Sequence, residues 1–219
     1  MGARTVIVVA GGDVSPRPLP GRLPNGATVI AADGGIDRAL ALGLHVDLAI
    51  GDFDSVSPEG LAKAKAAGAR VERHPVAKDA TDLELALDAA IALDPERIVV
   101  VGSNGGRLDH LFSSVLLLGD ERYAGAEIDA YLGTATVHVI RGSRTVPGAP
   151  GEIVSLLPLH AAAEGVTTAG LEYELRGETL PAGTSRGVSN VFTATEAQIT
   201  LERGCILAVC PGPEREEPL

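Results

Sequence analysis

Up to residue 133 the hydrophobic positions alternate between two textures. Short β-branched and apolar runs occupy Thr5–Ala10, Thr28–Ala32, Leu48–Ile50, Arg70–Arg73, Arg97–Val101 and Glu127–Tyr131. Several are apolar without interruption, the pattern of strands covered on both faces. Between them, Ile36–Leu42, Pro58–Ala67, Asp82–Leu93 and Leu108–Leu118 read as helices. The best defined opens with Thr81 and Glu84, a T-x-x-E capping box, and carries Leu83, Leu87, Ala90 and Ile91 on one stripe. The helix before it opens with Ser57 as N-cap and Pro58 at its first position. Strand and helix in alternation predict a mostly parallel sheet with helices on both sides, an α/β/α domain over residues 1–133.

The texture changes after Gly133. Ala135–Ile140, Ile153–Leu157, Gly165–Thr168, Leu171–Leu175, Val191–Leu201 and Cys205–Val209 read as short strands between Gly/Pro turns, with no convincing helical pattern. Arg141–Gly151, which holds two prolines and three glycines, reads as a hairpin or linker. Residues 134–219 are therefore expected to form an all-β domain, a small sandwich or barrel.

Composition narrows the function. The formal net charge is −11, the reverse of the basic face that a general nucleic-acid binder carries. A nucleotide ligand remains compatible, since a few cations, backbone N–H groups and Mg²⁺ can hold phosphates on an acidic protein. Cys205 and Cys210 stand alone in one apolar stretch and read as buried thiols rather than a zinc pair. The apolar run Val6–Ala10 stops at Gly11, Gly12 and Asp13, too short for a signal-peptide core. No stretch approaches the roughly 20 apolar residues of a membrane span. The expectation is a cytoplasmic protein.

Unusual residues collect where the strands of the first domain end. Strand one runs into Gly11-Gly12-Asp13, strand two into Asp33-Gly34-Gly35, and strand three into Gly51-Asp52-Phe53-Asp54-Ser55. Strand four leads to His74 through Asp82, and strand five to Gly102-Ser103-Asn104-Gly105-Gly106-Arg107-Leu108-Asp109-His110. In an open parallel sheet these loops share the carboxyl edge, where ligands bind. Asp52 and Asp54, on an extended backbone, would stand side by side as oxygen donors for Mg²⁺; the alternative is a pair of turn-forming aspartates. Asp82 opens a helix, where its charge also suits the helix dipole, and Asp79 is either a turn residue or a second acid. Arg107 is a natural phosphate partner, and Gly105 and Gly106 would let backbone N–H groups approach a phosphate. Lys78 is either a phosphate contact or a solvated loop lysine, and His110 either touches a nucleotide or packs at a helix start. There is no P-loop, G-x-G-x-x-G, G-x-S-x-G or H-E-x-x-H string.

Taken in order, Ala32-Asp33-Gly34-Gly35, Gly51-Asp52-Phe53-Asp54-Ser55, Lys78-Asp79-Ala80-Thr81-Asp82 and Gly105-Gly106-Arg107-Leu108-Asp109-His110 resemble the thiamine pyrophosphokinase family. Ser185-Arg186-Gly187-Val188-Ser189-Asn190 is similar to that family's Ser-Asn segment, so the resemblance spans nearly the whole chain. It implies an N-terminal α/β nucleotide-binding catalytic domain and a C-terminal β-sandwich that binds thiamine and dimerises. It implies a homodimer with thiamine held between subunits, ATP as co-substrate, and Mg²⁺. Asp52, Asp54 and Asp82 would then be the catalytic, metal-holding acids. Asp33, Gly34, Gly35, Lys78, Thr81, Arg107, Asp109 and His110 would line the nucleotide side, and Ser189 and Asn190 would hold thiamine. Relatives can place a tryptophan near thiamine; this chain has none, and its β half offers only Tyr173 and Phe192. The implied reaction passes pyrophosphate from ATP to the thiamine hydroxyl. A pyrophosphokinase for another heteroaromatic alcohol such as a pterin, a non-catalytic nucleotide sensor and a metal-dependent phosphohydrolase are the rival readings.

Overall fold

The structure, a computed structural model, describes residues 4–12, 19, 21–103 and 106–212. The chain divides into two units, Met1–Leu117 with Glu121–Gly133, and Leu118–Asp120 with Thr134–Leu219. Among the described residues no helix is long and apolar enough to cross a membrane.

The first unit is a parallel sheet. Its strands are β1 (Thr5–Val9), β2 (Thr28–Ala32), β3 (Leu48–Gly51), β4 (Arg70–Arg73), β5 (Arg97–Gly102) and β6 (Glu127–Leu132), with helices α1 (Gly35–Ala41), α2 (Pro58–Ala66), α3 (Asp82–Ile91) and α4 (Leu108–Leu118). The order across the sheet is β4-β3-β2-β1-β5-β6, and every pairing is parallel. Ile7, Val9, Val29, Ala31, Val99 and Val101 face Ile36, Ala39 and Ala64 of α1 and α2 in one core. The strand alternation turns the intervening residues to the opposite face, where α3 packs across β1, β2 and β3. The expected α/β/α sheet is thus observed.

Capping explains where two of these helices begin. Ser57 Oγ accepts the Gly60 N–H at 2.9 Å and donates to Asp37 Oδ1 at 2.6 Å, joining the start of α2 to α1. Thr81 Oγ1 accepts the Glu84 N–H at 3.2 Å. The Glu84 carboxylate turns instead to Arg122, 2.8 Å away.

The second unit contains β7 (Ala135–Ile140), β8 (Ser143–Pro147), β9 (Ile153–Pro158), β10 (Ala163–Ala169), β11 (Arg176–Leu180), β12 (Asn190–Val191), β13 (Glu196–Thr200) and β14 (Ile206–Cys210). One antiparallel layer runs β12-β9-β14-β7 and the other β11-β10-β13-β8. Val154, Leu156, Ile206 and Ala208 of the first layer share a core with Val146, Val166, Leu180, Ala197 and Ile199 of the second. This is a sandwich, as expected.

Three sequence expectations need correction here. Leu171–Leu175 is not a strand. Its leucines are buried, but beyond one bridge of Leu171 to Phe192 and the Glu172 N bond to the Val191 carbonyl, side chains take up its N–H groups: Leu175 N donates to Thr168 Oγ1 at 2.9 Å and Tyr173 N to Asn190 Oδ1 at 3.0 Å. Val191–Leu201 is two strands, because the chain changes layers between β12 and β13 and drops Phe192 into the core. Arg141–Gly151 contains β8, which pairs with β13 over five residues. Its terminal Pro147 is tolerated because β8 is an edge strand. The polar strand β11 had no hydrophobic run to announce it.

Phe192 is 1% exposed, and a Cβ placed on Gly148 would come within 2.6 Å of its ring. Nothing smaller fills that space, so Phe192→Ala is expected to lower unfolding free energy by about 3–5 kcal/mol. Equilibrium urea unfolding checks this; a loss under about 1 kcal/mol would mean that the two layers close without it.

Candidate active site

The strand order of the first unit reverses between β1 and β5, so a crevice is expected outside the carboxyl ends of those two strands. The loops that follow them meet there. A Cβ on Gly12, whose φ is +102°, would lie 3.1 Å from Ser103 Cβ and 3.8 Å from Arg38 Nη2. One on Gly11 would lie 3.6 Å from Gly34 Cα, so the loop after β2 packs directly against the loop after β1. Asp13, Asn104 and Gly105 lie outside the described residues.

In that second loop Asp33 takes a left-handed conformation, φ 45°, and its N–H donates to the Ile50 carbonyl at 2.9 Å. The tight turn starts α1 against the sheet, and a Cβ on Gly35 would stand 2.0 Å from the Val9 carbonyl oxygen. Only glycine fits. The same holds at Gly51, where φ is +142° and a Cβ would meet Asp82 Oδ1 at 2.9 Å and Asp33 Cβ at 3.2 Å. The missing side chain of Gly51 is the space into which two carboxylates turn.

Asp52 is the next residue, and Arg73 at the end of β4 anchors it. The Arg73 guanidinium lies 4.8 Å from the Phe53 ring centroid and donates to the Asp52 carbonyl. Asp82 reaches the same place from the first turn of α3. One carboxylate oxygen from each of Asp33, Asp52 and Asp82 lies within 4.8 Å of the others. Lys78 closes the group, with Nζ 3.0 Å from Asp52 Oδ2 and 3.0 Å from Asp82 Oδ1.

The charges respond to this setting. The Lys78 hydrogen bond holds the Asp52 carboxyl below its ordinary range, against the opposing effect of burial. Burial pushes the Asp33 carboxyl up, only partly offset by the Gly34 N–H and Ser55. Burial pulls the Lys78 ammonium down, but its bonds to Asp82 and Asp52 outweigh that and leave it raised. Three convergent carboxylates are hard donors of the kind Mg²⁺ takes alongside substrate phosphates. The donor set fits that ion.

The other sequence-selected residues fall in several places. Asp54 is exposed and joined to the group through Ser55, whose Oγ donates to Asp54 Oδ1 at 2.7 Å and whose N–H donates to Asp33 Oδ1 at 3.4 Å. Phe53 is left-handed, φ 63°, so the backbone is not extended and the D-x-D carboxylates do not line up. Asp79 and Thr81 are exposed. Arg107 and Asp109, both exposed at the start of α4, bind each other through two bonds of 3.2 and 2.6 Å. His110 is exposed beside them, its carbonyl accepting Ser114 Oγ at 2.7 Å.

In the second unit, the exposed Ser189 is left-handed, φ 59°. Asn190 is buried, its Oδ1 accepting Tyr173 N at 3.0 Å and its Nδ2 donating to Tyr173 O at 2.9 Å. The amide therefore fixes the backbone of Tyr173, a residue that is 64% exposed. Arg38 was not singled out from the sequence. It is 5% exposed in the last turn of α1, its Nη2 reaching toward Gly12, and its only sequence signal is one cation amid the apolar positions of a short helix.

Residues 22–129 match the family described as thiamin pyrophosphokinase, catalytic domain, and residues 137–206 the one described as thiamin pyrophosphokinase, vitamin B1 binding domain. The chain is 25% identical to the thiamine pyrophosphokinase of Bacillus subtilis (strain 168), over 94% of this chain and 98% of the relative. The crystal structure of the B. subtilis thiamine pyrophosphokinase superposes with a TM-score of 0.84 at 24% identity, covering 96% of this chain and all (100%) of that one. A thiamin pyrophosphokinase family protein from Enterococcus faecalis gives a TM-score of 0.80 at 28% identity, covering 97% and 100% of the two chains.

The Arg107 fork makes a titration prediction. Its hydrogen bond draws the Asp109 carboxyl from the ordinary 3.8 down to about 2. Because the folded value is depressed, the pair is complete above a pH of about 4 and is lost as pH falls toward the folded value. Carboxyl-carbon NMR should find Asp109 titrating near that low value, and Arg107→Ala should return it toward the ordinary one. An unshifted Asp109 in the parent protein would mean that the fork does not persist in solution.

Proposed function

Since the chain belongs to the thiamin pyrophosphokinase family, we propose that it transfers the β,γ-pyrophosphoryl group of ATP to the hydroxyl of thiamine, forming thiamine diphosphate and AMP. The observation that carries this reading is the convergence of Asp33, Asp52 and Asp82 at the sheet edge beside the Gly11–Gly12 crevice. A polyphosphate needs both a place where backbone can approach it and a set of oxygens that hold its counter-ion. Both occur here within one stretch of loops.

In the reaction the thiamine hydroxyl oxygen forms a bond to the β-phosphorus. The bond from that phosphorus to the oxygen bridging the α-phosphate breaks, and AMP leaves with the electron pair. The hydroxyl proton passes to a carboxylate of the site. Such transfers leave the protein mostly positioning and charge neutralisation to perform. Asp33, Asp52 and Asp82 would hold Mg²⁺, which supplies neutralisation of the phosphate charge. The backbone N–H groups of Gly11 and Gly12 would approach the phosphate oxygens, and the Arg38 guanidinium, close to Gly12, would meet the same charge. Arg73 keeps the Asp52 loop in place during the exchange.

For thiamine, the β half offers two aromatic rings. Phe192 is consumed by the core, which leaves Tyr173, exposed and fixed at its backbone by Asn190, as the ring on which thiamine stacks. Asn190 then acts through Tyr173, and Ser189 stands beside the same segment. A homodimer and a cytoplasmic setting belong to the same reading; Cys205 and Cys210 are free thiols, in keeping with a reducing compartment.

With purified protein, ATP and Mg²⁺, AMP should appear only when thiamine is present and should match thiamine diphosphate mole for mole. Asp52→Asn and Asp82→Asn should each cut kcat by about a hundredfold or more with the fold retained by circular dichroism. AMP with a pterin alcohol but not thiamine would move the substrate; ATP binding without turnover would make the chain a sensor. Tyr173→Ala should raise KM for thiamine by roughly threefold to tenfold with little change in KM for ATP. An unchanged thiamine KM would take Tyr173 out of the site.

A further inference from the structure

Lys78 engages two of the three carboxylates that would hold the metal. Its Nζ is 3.0 Å from both Asp52 Oδ2 and Asp82 Oδ1, with the Lys78, Asp52 and Asp82 side chains 14%, 10% and 24% exposed. Two cations drawn to the same oxygens compete, and little water is present to screen their repulsion. Of the two cations touching the Asp52 loop among the described residues, only one is able to leave. Arg73 is held by the Phe53 ring and the Asp52 carbonyl, whereas Lys78 has a flexible four-carbon stem on the connection between β4 and α3.

We propose that Lys78 is a resident counter-cation of the acid cluster, which a divalent ion must displace in order to bind. This rests on the reading of the site as one for Mg²⁺ and ATP. In the free protein the ammonium offsets part of the cluster's negative charge and keeps the site short of metal. Once displaced, it is a mobile positive charge beside the crevice, available to the phosphates that arrive with the metal. Metal and polyphosphate therefore bind as a pair, each improving the place for the other. The bare ion is a poor ligand, and an acidic protein avoids filling its site with metal alone.

The test is a Mn²⁺ titration of the nucleotide-free protein, following free Mn²⁺ by electron paramagnetic resonance. Lys78→Met and Lys78→Gln should each bind Mn²⁺ about tenfold more tightly than the parent. The gain should vanish when Asp52→Asn is added. In EDTA the Lys78 variants should melt below the parent, and Mn²⁺ should raise their Tm by more than it raises the parent's. Equal or weaker Mn²⁺ binding in both Lys78 variants, with binding still abolished by Asp52→Asn, would leave the metal site standing and overturn the role of Lys78. No Mn²⁺ binding that depends on Asp52 in any of these proteins would overturn both.

Discussion

Three carboxylates gathered within 4.8 Å of one another repel, and the surrounding architecture is arranged to bear it. No helix or strand adopts such an arrangement for its own stability. It persists because each acid is fixed by something else. Asp33 sits in a left-handed turn bonded to the Ile50 carbonyl, Asp52 is anchored through its carbonyl by Arg73, and Asp82 is carried by the capped first turn of α3. Gly51 supplies the volume, and Lys78 supplies compensating charge. The apolar strands β1 to β3, buried on both faces, keep these supports from relaxing apart.

The fold was legible because the two halves obey different periodicities. Continuous apolar runs broken by amphipathic helices can satisfy their burial only in a parallel sheet with helices on both faces. Short alternating runs among glycines and prolines can do so only in paired antiparallel layers. What escaped the pattern was backbone pairing by polar residues. β11 pairs with β10 through main-chain bonds that leave no trace in hydropathy. The Leu171–Leu175 stretch shows the converse, since two buried leucines look like a strand although only a single bridge forms and an asparagine and a threonine side chain take up two of its N–H groups. Hydrophobic pattern reports where side chains go, and it reports hydrogen bonding only when the two coincide.

The candidate site was legible as a set of loops and less so as a set of atoms. Strand ends that run into glycine and aspartate mark the carboxyl edge from sequence alone. Which aspartates converge depends on dihedral angles that composition does not encode. The D-x-D spacing implies a pair if the chain is extended, but Phe53 at φ 63° breaks the extension, and Asp33, from another strand, stands beside Asp52, with Asp54 joined to it through Ser55. Asn190 presents the same difficulty. A polar residue in a distinctive string invites a ligand role, yet its amide is committed to the backbone of Tyr173. Arg38 is the reverse case, a residue with no motif that the topology delivers to the crevice.

On the proposed reading, a chain with a net charge of −11 would handle a polyanion, and its cations would have to be prepared in advance. Lys78 is already bonded to Asp52 and Asp82, and Arg107 is already forked onto Asp109. Binding a phosphate at either place is thus an exchange of partners, in which part of the attraction is spent on releasing a carboxylate. Charge alone consequently wins little, and a simple anion is a poor competitor. A ligand that brings both phosphate and a divalent ion does better, because it meets the released carboxylate with its own cation. The acidity outside the site and the paired charges within it then work in the same direction. On the proposed reading they would favour a metal-bound polyphosphate over either component, without any motif devoted to nucleotides.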